Sequence, residues 1–242
     1  MKNISIVIPL YNEEKRLDYF FKNFSKFKKV KKKYYFEFIF VDDGSTDSTQ
    51  EKILNLIKIY RDKKNTFKLI KSKKNLGKGH ALKLGVKNAK YEWVLTMDAD
   101  LSVDLYQILK WANKYSFKKN YAYFGSRNHS ESQIEYKFYR RVIGQFLRLL
   151  VYLFLDKKIK DTQCGFKFYN KKYIKKIFNL IKENGFAHDI ELILLLKINK
   201  IQIKELPIRW IHRDNSKLDP VIESGKFFIK FFIILIKYKF KK

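Results

Sequence analysis

The chain has 242 residues, of which 53 are Lys or Arg and 24 are Asp or Glu, for a formal net charge of +29. Hydrophobic residues make up 46% and aromatic residues 17%, which excludes a disordered chain, and the length suits one large domain with a substantial core. The single cysteine excludes a disulfide framework and a thiolate zinc cluster, while the positive charge indicates an anionic partner.

Apolar strand patterns alternate with amphipathic helix patterns in the first half of the chain. In chain order the predicted strands are NISIVIP, FEFIFV, TFKLIKS, YEWVLTM and YAYFGSR, and the predicted helices are STQEKILNLIKIY, NLGKGHALKLGVKNAK and DLYQILKWANKYS. Strands that alternate with helices of this length predict an α/β fold with a mostly parallel sheet flanked by helices. The second half, from about residue 128, has a less regular pattern.

The N-terminus leads directly into the first predicted strand, so we expect no signal peptide or membrane anchor. No uninterrupted apolar run approaches the roughly 20 residues needed to span a bilayer. We therefore expect a protein that is soluble or lies on a membrane.

Four polar motifs each follow a predicted strand: PLYNEE, VDDGSTD, MDADLS and GSR. Ligands of parallel sheets bind beyond the carboxyl ends of the strands, so these motifs are expected to meet in one crevice. A polar loop with capping acids is the alternative for any single motif, and it explains VDDGSTD alone equally well, but four motifs at the same end of one sheet favour a site.

Asp98 and Asp100 stand two residues apart after the strand YEWVLTM, where both carboxylates can turn toward one point. Oxygen donors of this kind suit Mg²⁺ or Mn²⁺ that also bridges to substrate phosphates. The four His residues lack the spacing of a zinc site. Asp104 lies beyond the turn and is expected to cap the next helix.

Seven segments together resemble one enzyme family. They are IPLYNEEKRL, VDDGSTDST, NLGKGHALKLGVKNAKYEWVLTMDADL, GSR, DTQCGFKFY, FAHDIELIL and HRDNSKL. Over nearly the whole chain, to about residue 225, they are similar to the family-two inverting glycosyltransferases of the GT-A fold, and within these to dolichyl-phosphate glucosyltransferases and mannosyltransferases. The segments KIKDTQCGFKFY and SKLDP look more like the glucosyltransferase branch.

The resemblance implies a nucleoside pocket in which a carboxylate accepts a hydrogen bond from a uracil N–H. The implied pocket residues are Pro9, Tyr11, Glu13, Val41 and Asp43, and the residues implied to meet the diphosphate and its metal ion are Asp98, Ala99 and Asp100. Mannosyltransferase relatives often have Gln where this chain has Ser102, which is a shorter and weaker ligand. Asp98 and Asp100 are therefore the expected metal ligands.

Cleavage of a sugar–phosphate bond develops negative charge on the leaving diphosphate, which fixed cations can stabilise. Arg is scarce beside Lys in this chain, so positions that hold Arg are the more informative candidates. Arg127, at the end of a predicted strand, is the first candidate, and Arg213 with Lys217 in the HRDNSKL loop is the second. That loop is a predicted lid, although Lys217 also suits a solvated surface position.

The identity of a general base depends on the acceptor. A lipid monophosphate is already anionic and needs no strong base, whereas a hydroxyl acceptor does. Asp189 resembles the base of relatives that glycosylate hydroxyls, but an acid at a helix N-terminus explains it equally well. Asp161 is a second catalytic candidate, or it orders the Arg residues on the acceptor side, and both rank below Asp100.

Two segments have the pattern of helices that lie in a membrane interface. In RRVIGQFLRLLVYLFL the polar stripe consists of Arg141, Gln145, Arg148 and Tyr152, and in residues 226–242 it consists of Lys226, Lys230, Lys237 and Lys241. Arg140 and Arg141 are candidate ligands of a lipid phosphate, together with Arg127. A core helix and a helix docked on the domain are the alternatives, and the interfacial interpretation is stronger for the tail, whose lysines would reach lipid headgroups.

These patterns predict a glycosyltransferase domain over residues 1–225 and an amphipathic helix over residues 226–242. The expected reaction transfers glucose from UDP-glucose to a polyprenyl phosphate such as dolichyl phosphate with inversion, at the cytosolic face of an anionic membrane. The same reaction with GDP-mannose is the nearest alternative. A nucleic-acid-binding protein would interleave basic and aromatic residues on one face, a pattern that the sequence lacks. Intact Asp98, Asp100 and Arg127 argue against a silent scaffold.

Overall fold

A seven-stranded sheet forms the centre of the molecule. The computed structural model describes residues 3–30, 33–61, 65–135, 153–213 and 220–239. Within these ranges the strands are β1 (Asn3–Leu10), β2 (Tyr35–Asp42), β3 (Asn65–Lys71), β4 (Trp93–Thr96), β5 (Tyr121–Ser126), β6 (Gln133–Glu135), β7 (Lys167–Asn170), β8 (Gln202–Pro207) and β9 (Arg209–Ile211).

Helices connect most of these strands. In the described part of the chain they are α1 (Glu14–Val30), α2 (Thr49–Tyr60), α3 (Lys78–Asn88), α4 (Tyr106–Lys114), α5 (Lys171–Leu180), α6 (His188–Ile198) and α7 (Pro220–Lys239). Each strand and helix predicted from periodicity in the first half of the chain is present, which confirms the α/β fold.

The large sheet has the strand order β3-β2-β1-β4-β7-β5-β8. Every neighbouring pair is parallel except those of β7, which runs antiparallel to both β4 and β5. The two shortest strands, β6 and β9, pair in a separate parallel sheet. Because β7 is reversed, the carboxyl ends of β1, β2, β4 and β5 all lie at the same edge as the beginning of β7.

Apolar residues cover both faces of the large sheet, as expected for parallel strands. Along β1, Ile6 and Ile8 belong to a core on one face, whereas Val7 belongs to a core on the other. Helices α1, α2 and α4 close the first core and helices α3, α5, α6 and α7 close the second. The sheet thus forms the middle of three layers.

Helix α7 is part of the second core. It begins at Pro220, ahead of the predicted boundary at residue 226, and it buries Phe227, Phe231, Ile234 and Leu235. For two of its lysines the expectation that they reach lipid headgroups is wrong, because Lys230 and Lys237 form ion pairs with Glu183 and Glu191 at 2.6 and 2.9 Å. These two lysines lie on the docked side because acidic partners are available there.

The exposed side of α7 is apolar. Ile229, Phe232, Ile233 and Ile236 follow helical spacing and are 65%, 42%, 58% and 58% exposed. Leu153 and Phe154 are also exposed, and the rings of Phe154 and Phe232 are in contact, with centroids 5.9 Å apart. We call these six residues the apolar arc.

Several sequence-based expectations lie outside the described residues. They concern Arg140, Arg141, Gln145, Arg148, Tyr152, Lys217, Lys241 and the side chain of Lys226. In the part of the chain that the structure covers, no helix combines the length and apolar character needed to cross a bilayer.

Candidate active site

The loops that follow β1 and β2 are joined by hydrogen bonds. The backbone N–H of Asn12 donates to Ser45 Oγ at 2.8 Å, and the backbone N–H of Thr46 donates to Asn12 Oδ1 at 2.8 Å. The backbone N–H of Glu13 donates to Thr49 Oγ1 at 2.8 Å. Two of the four predicted motifs are therefore in contact at the carboxyl edge of the sheet.

The third motif supplies two carboxylates next to these loops. Ala99 is buried in the core, and Asp98 and Asp100 lie on either side of it along the chain. Asp98 Oδ1 lies 2.6 Å from Lys78 Nζ, at the first residue of α3. Asp100 accepts from Ser102 twice, from the backbone N–H at 2.8 Å and from Oγ at 2.9 Å. Ser102 therefore positions Asp100.

The two carboxylates differ in acidity. Burial opposes ionisation of Asp98, but the charge of Lys78, with those of Lys167 and His188, holds the pKa of Asp98 below its usual value. Burial raises the pKa of Asp100, and the negative charge of Asp98 raises it further. The two acids thus have opposite shifts within one motif.

Glu13 joins the same electrostatic environment. Burial raises its pKa to about 7, and the charges of Asp100 and Asp98 also raise it, although Arg16 lowers it. The guanidinium Nη1 of Arg16 donates to both carboxylate oxygens of Glu13, at 3.0 and 3.1 Å. A carboxyl group whose pKa is raised by neighbouring carboxylates favours a bound cation.

The donor set fits a hard divalent ion. Among the described residues no group of three or more His, Cys, Asp or Glu side chains is arranged to hold a metal. Asp98 and Asp100 supply two oxygen-donor side chains, which suits Mg²⁺ or Mn²⁺ because such ions commonly complete their coordination with water and substrate phosphates.

Gly165, two residues before β7, leaves space for Asp98. A Cβ atom at this glycine would lie well inside van der Waals contact with the whole carboxyl group of Asp98. The reversed strand β7 brings this glycine to the edge of the sheet where β4 ends. The position of Asp98 therefore depends on a residue without a side chain.

A buried cluster of charges lies behind Asp98. Lys167 Nζ is 2.5 Å from Asp189 Oδ1, and His188 Nε2 is 3.3 Å from the same oxygen. Burial lowers the pKa of His188, although the charge of Asp189 raises it. His188 Nδ1 is 2.8 Å from the backbone oxygen of Gly185. Asp189 is a buried ion-pair partner in the first turn of α6.

Asp43 closes the other side of the crevice. Its Oδ2 accepts from the backbone N–H groups of Leu76 and Gly77, at 3.0 and 2.6 Å. Its Oδ1 and the Nδ1 of His80 are both buried without a hydrogen-bond partner, and these two atoms lie 3.5 Å apart. A buried acceptor without a donor is costly, so this oxygen is available to a ligand N–H.

The other residues implied for the nucleoside pocket are placed differently from one another. Tyr11 is 44% exposed at the end of β1, and Pro9 is partly buried. The side chain of Val41 is fully buried beneath α3, opposite Gly85, so its contribution to a nucleoside site would come from its main chain.

Arg127 is held by Asp161. The Nε and Nη2 atoms of Arg127 donate to the two oxygens of Asp161 at 2.7 and 2.8 Å, and the backbone N–H of Arg127 donates at 2.9 Å. Burial opposes ionisation of Asp161, but Arg127 keeps its pKa below the usual value. Arg213 stacks on the ring of Tyr19 in α1, 4.1 Å from its centroid.

Residues of this site that were not predicted from the sequence include Lys78, Gly165, Lys167 and His188. Lys78 had a signal, because it stands between two glycines at the start of a predicted helix, where a side chain can reach a strand end. Lys167 had none, since its partner Asp189 lies 22 residues further along the chain. His188 directly precedes Asp189, but no spacing in the sequence marks it as part of the site. The expected cap is confirmed: Asp104 Oδ1 accepts from the backbone N–H of Tyr106 at 2.8 Å.

Comparisons with known proteins identify the family of the chain. Residues 5–178 match the family model Glycosyl transferase family 2. A dolichyl-phosphate beta-glucosyltransferase of Saccharomyces cerevisiae is 33% identical over 249 residues, which cover 97% of this chain and 75% of that protein. The Homo sapiens protein of the same name is 32% identical over 245 residues, covering 93% and 73%.

Solved structures share the fold. Glucosyl-3-phosphoglycerate synthase from Mycobacterium tuberculosis, in complex with Mn²⁺, uridine diphosphate and phosphoglyceric acid, has a TM-score of 0.70 at 16% identity, over 98% of this chain and 78% of that one. A mannosyltransferase from Pyrobaculum calidifontis, in complex with GDP-Man and Mn²⁺, has a TM-score of 0.65 at 14% identity, over 97% and 64%. The chain belongs to glycosyl transferase family 2 and is a hexosyltransferase of the GT-A fold.

Proposed function

We propose that the protein transfers glucose from UDP-glucose to a polyprenyl phosphate such as dolichyl phosphate, with inversion at the anomeric carbon. The observation that carries the proposal is the pair Asp98 and Asp100 beside Lys78, at the carboxyl edge of the sheet. The donor and acceptor come from the relatives, which are named dolichyl-phosphate beta-glucosyltransferases.

Asp43 is the proposed contact to the nucleobase. Its Oδ1 is buried and lacks a donor, and an N–H of uracil would supply one. Pro9, Tyr11, Glu13 and the main chain of Val41 complete the proposed nucleoside pocket.

The diphosphate belongs next to Asp98 and Asp100. These residues would hold Mg²⁺ or Mn²⁺, which when bound offsets the charge of the leaving diphosphate. Lys78 adds a fixed positive charge 2.6 Å from Asp98, within reach of the same region. Ser102 keeps the Asp100 carboxylate oriented through two hydrogen bonds.

In the proposed step an oxygen of the acceptor phosphate forms a bond to the anomeric carbon while the bond from that carbon to UDP breaks. The acceptor oxygen is already anionic, so no general base is required. The pairing of Asp189 with Lys167 and of Asp161 with Arg127 supports positioning roles for both acids.

Arg127 is the proposed contact to a phosphate group, because Asp161 holds its guanidinium in one orientation. Arg140 and Arg141 are proposed ligands of the lipid phosphate, and Lys217 is a proposed contact to the donor. These three residues lie outside the described residues. Arg213 is a further proposed contact to the donor, and its guanidinium would leave the ring of Tyr19 when substrate binds.

The proposal includes a peripheral position on the cytosolic face of an anionic membrane, which would be the endoplasmic reticulum in a eukaryote or the plasma membrane in a prokaryote. The apolar arc supports this position, since a contiguous exposed apolar surface on a monomer commonly marks an interaction site. A lipid surface would also present the acceptor.

A substrate panel tests the proposed reaction. The protein is incubated with polyprenyl phosphate, Mg²⁺ or Mn²⁺, and each of several UDP- and GDP-sugars, and the lipid fraction is analysed for a linked sugar. We expect glucosyl lipid from UDP-glucose, loss of product with a chelator and recovery on adding the metal back. Product from GDP-mannose instead would overturn the donor assignment. The absence of a lipid-linked sugar with every donor would overturn the acceptor assignment.

A further inference from the structure

Glu191 is a fully buried carboxylate that takes no part in the proposed reaction. Its Oε2 accepts from the backbone N–H groups of Lys182 and Glu183, at 2.8 and 2.7 Å. Its Oε1 accepts from Lys237 Nζ at 2.9 Å and from the Tyr238 hydroxyl at 2.6 Å. One carboxylate thus joins helix α7 to residues 181–187, which we call the α5–α6 loop.

A second acidic residue repeats this connection. Glu183 Oε1 accepts from the backbone N–H of Gly185 at 2.7 Å and from Lys230 Nζ at 2.6 Å. Lys230 and Lys237 lie seven residues apart on α7, which is two helical turns. The α5–α6 loop is therefore attached to α7 at two separate points.

The opposite side of the α5–α6 loop lies against the beginning of α3. The backbone oxygen of Asn184 accepts from the backbone N–H of His80 at 3.1 Å. A Cβ atom at Gly77 would lie 2.5 Å from that oxygen, and one at Gly79 would lie 2.7 Å from the backbone oxygen of Glu183. The two backbones touch without an intervening side chain, so a displacement of the loop displaces residues 77–80.

Residues 77–80 carry contacts of the site. Lys78 pairs with Asp98 at 2.6 Å, and the backbone N–H of Gly77 donates to Asp43 at 2.6 Å. Lys78 Nζ also lies over the ring of Phe186 in the α5–α6 loop, 5.9 Å from its centroid. A continuous set of contacts thus runs from α7 through Glu191 and the loop to Asp98 and Asp43.

Attachment of α7 to the domain by apolar packing does not require the hydrogen bonds around Glu191. Phe227, Phe231, Ile234 and Leu235 already bury one side of α7, and burial of a carboxylate carries a cost that only directional hydrogen bonds offset. The four donors around Glu191 satisfy it from two elements at once. Their geometry determines where the α5–α6 loop lies relative to α7.

We propose that Glu191 is a positioning residue, through which α7 holds the α5–α6 loop and residues 77–80 in the arrangement that binds the diphosphate and its metal. Four residues of the apolar arc lie on the other side of the same helix, so a lipid surface that moves α7 also changes donor affinity. The inference rests on the proposed function in one respect, that the donor diphosphate binds beside Asp98.

The test removes the two α7 donors to Glu191 while keeping their size, with the variant Lys237→Met/Tyr238→Phe. Hydrogen–deuterium exchange is measured for the backbone amides of residues 182–183 and 77–80, and binding of UDP with Mn²⁺ is measured by calorimetry. We expect exchange of both sets of amides to rise about tenfold and the affinity for UDP with Mn²⁺ to fall about tenfold, because hydrogen bonds to a charged group are lost.

Two further variants control the test. Ile233→Ser/Ile236→Ser changes the exposed side of the same helix and should leave exchange at residues 77–80 as in the unmodified protein. Lys237→Arg keeps a charged donor and should leave both exchange and binding as in the unmodified protein. If the double variant does not fold, Tyr238→Phe alone takes its place, with a smaller rise in exchange expected.

Unchanged exchange at residues 77–80 in a folded Lys237→Met/Tyr238→Phe variant would overturn the inference, since α7 would then be attached without positioning the site. If exchange rises in the variant but the unmodified protein does not bind UDP, the proposed donor is wrong. The positioning role of Glu191 would still hold. The two failures are therefore distinguishable.

Discussion

Asp98 and Asp100 show how neighbours two residues apart acquire different properties. Lys78 makes Asp98 more acidic, whereas burial and the charge of Asp98 make Asp100 less acidic. Each carboxylate is also held in place, Asp98 by Lys78 and Asp100 by Ser102. At the residue scale the site is thus two oriented oxygen donors whose repulsion a divalent cation would relieve.

Asp100→Asn tests the metal role directly. Asn keeps the shape of the side chain and one acceptor for Ser102, but it loses the charge, so we expect transfer to fall by about 100-fold or more and the affinity for Mn²⁺ to fall with it. Circular dichroism should show an intact fold. Full transfer activity in this variant would exclude Asp100 as a metal ligand.

Gly165→Ala tests the space that Asp98 needs. The added methyl group would occupy the position of the Asp98 carboxyl group, so that group has to turn away. We expect Mn²⁺ affinity to fall by about tenfold, with an ion pair to Lys78 weakened at the same time. Gly225→Ala is the matched control, because nothing lies within 4 Å of its added Cβ. Equal Mn²⁺ affinity in both variants would contradict the crowding argument.

The raised pKa of Glu13 predicts that the stability of the metal-free protein depends on pH. Its pKa rises from 4.5 to about 7 on folding, so between these values the folded chain binds a proton that the unfolded chain does not. The contribution to stability is complete below pH 4.5 and is lost as pH rises through 7. Asp100, whose pKa is also raised, acts in the same direction.

Glu13→Gln should therefore reduce the loss of stability between about pH 5 and pH 8, by on the order of 1 to 3 kcal/mol. The measurement is denaturant unfolding in the presence of a chelator. Glu51→Gln, at an exposed position on α2, serves as the control and should keep the pH dependence of the unmodified protein. An unchanged pH profile in Glu13→Gln would exclude Glu13 as its source.

At the element scale, the charge pattern of α7 did not predict which face of the helix packs against the domain. Its lysines and apolar residues divide the helix into faces, but the pattern does not state which face meets the domain. The answer depends on Glu183 and Glu191, which lie 47 and 46 residues away along the chain from their lysine partners. Because those acids pair with Lys230 and Lys237, the apolar arc remains outside.

The apolar arc is expected to carry membrane binding. Ile233→Ser/Ile236→Ser removes two large apolar side chains without touching the core, so we expect binding to liposomes in a flotation assay to weaken about tenfold or more. Ile59→Ser is the control, since Ile59 is 69% exposed on α2, away from α7. Equal flotation of both variants would show that another surface binds lipid.

The charge of +29 acts at the scale of the whole molecule. Its attraction to anionic lipid is screened by salt, since the Debye length falls from about 10 Å at 0.1 M to about 3 Å at 1 M. We expect binding to anionic liposomes to weaken about tenfold over this range and binding to neutral liposomes to change little. Salt-independent binding to both would mean that the apolar arc acts without the charge.

Local patterns predicted most of the first half of the fold, with the exception of α1, because its strands and helices follow one another as neighbours. The strand ends and the pair Asp98 and Asp100 followed from the same order. The position of β7 did not, since its pairing with β4 and β5 joins distant segments and leaves no period in the sequence. The roles of Lys167, Gly165 and Glu191 depend on that pairing or on similar long-range contacts.

The position of β7 has a consequence for synthesis of the protein. Strands β4 and β5 leave the ribosome before β7, yet β7 lies between them in the sheet. The nascent chain therefore has to keep these strands apart, or separate them again, until residues 167–170 arrive. Because Gly165 and Lys167 enter with β7, the candidate site cannot be complete in a nascent chain that ends before residue 167.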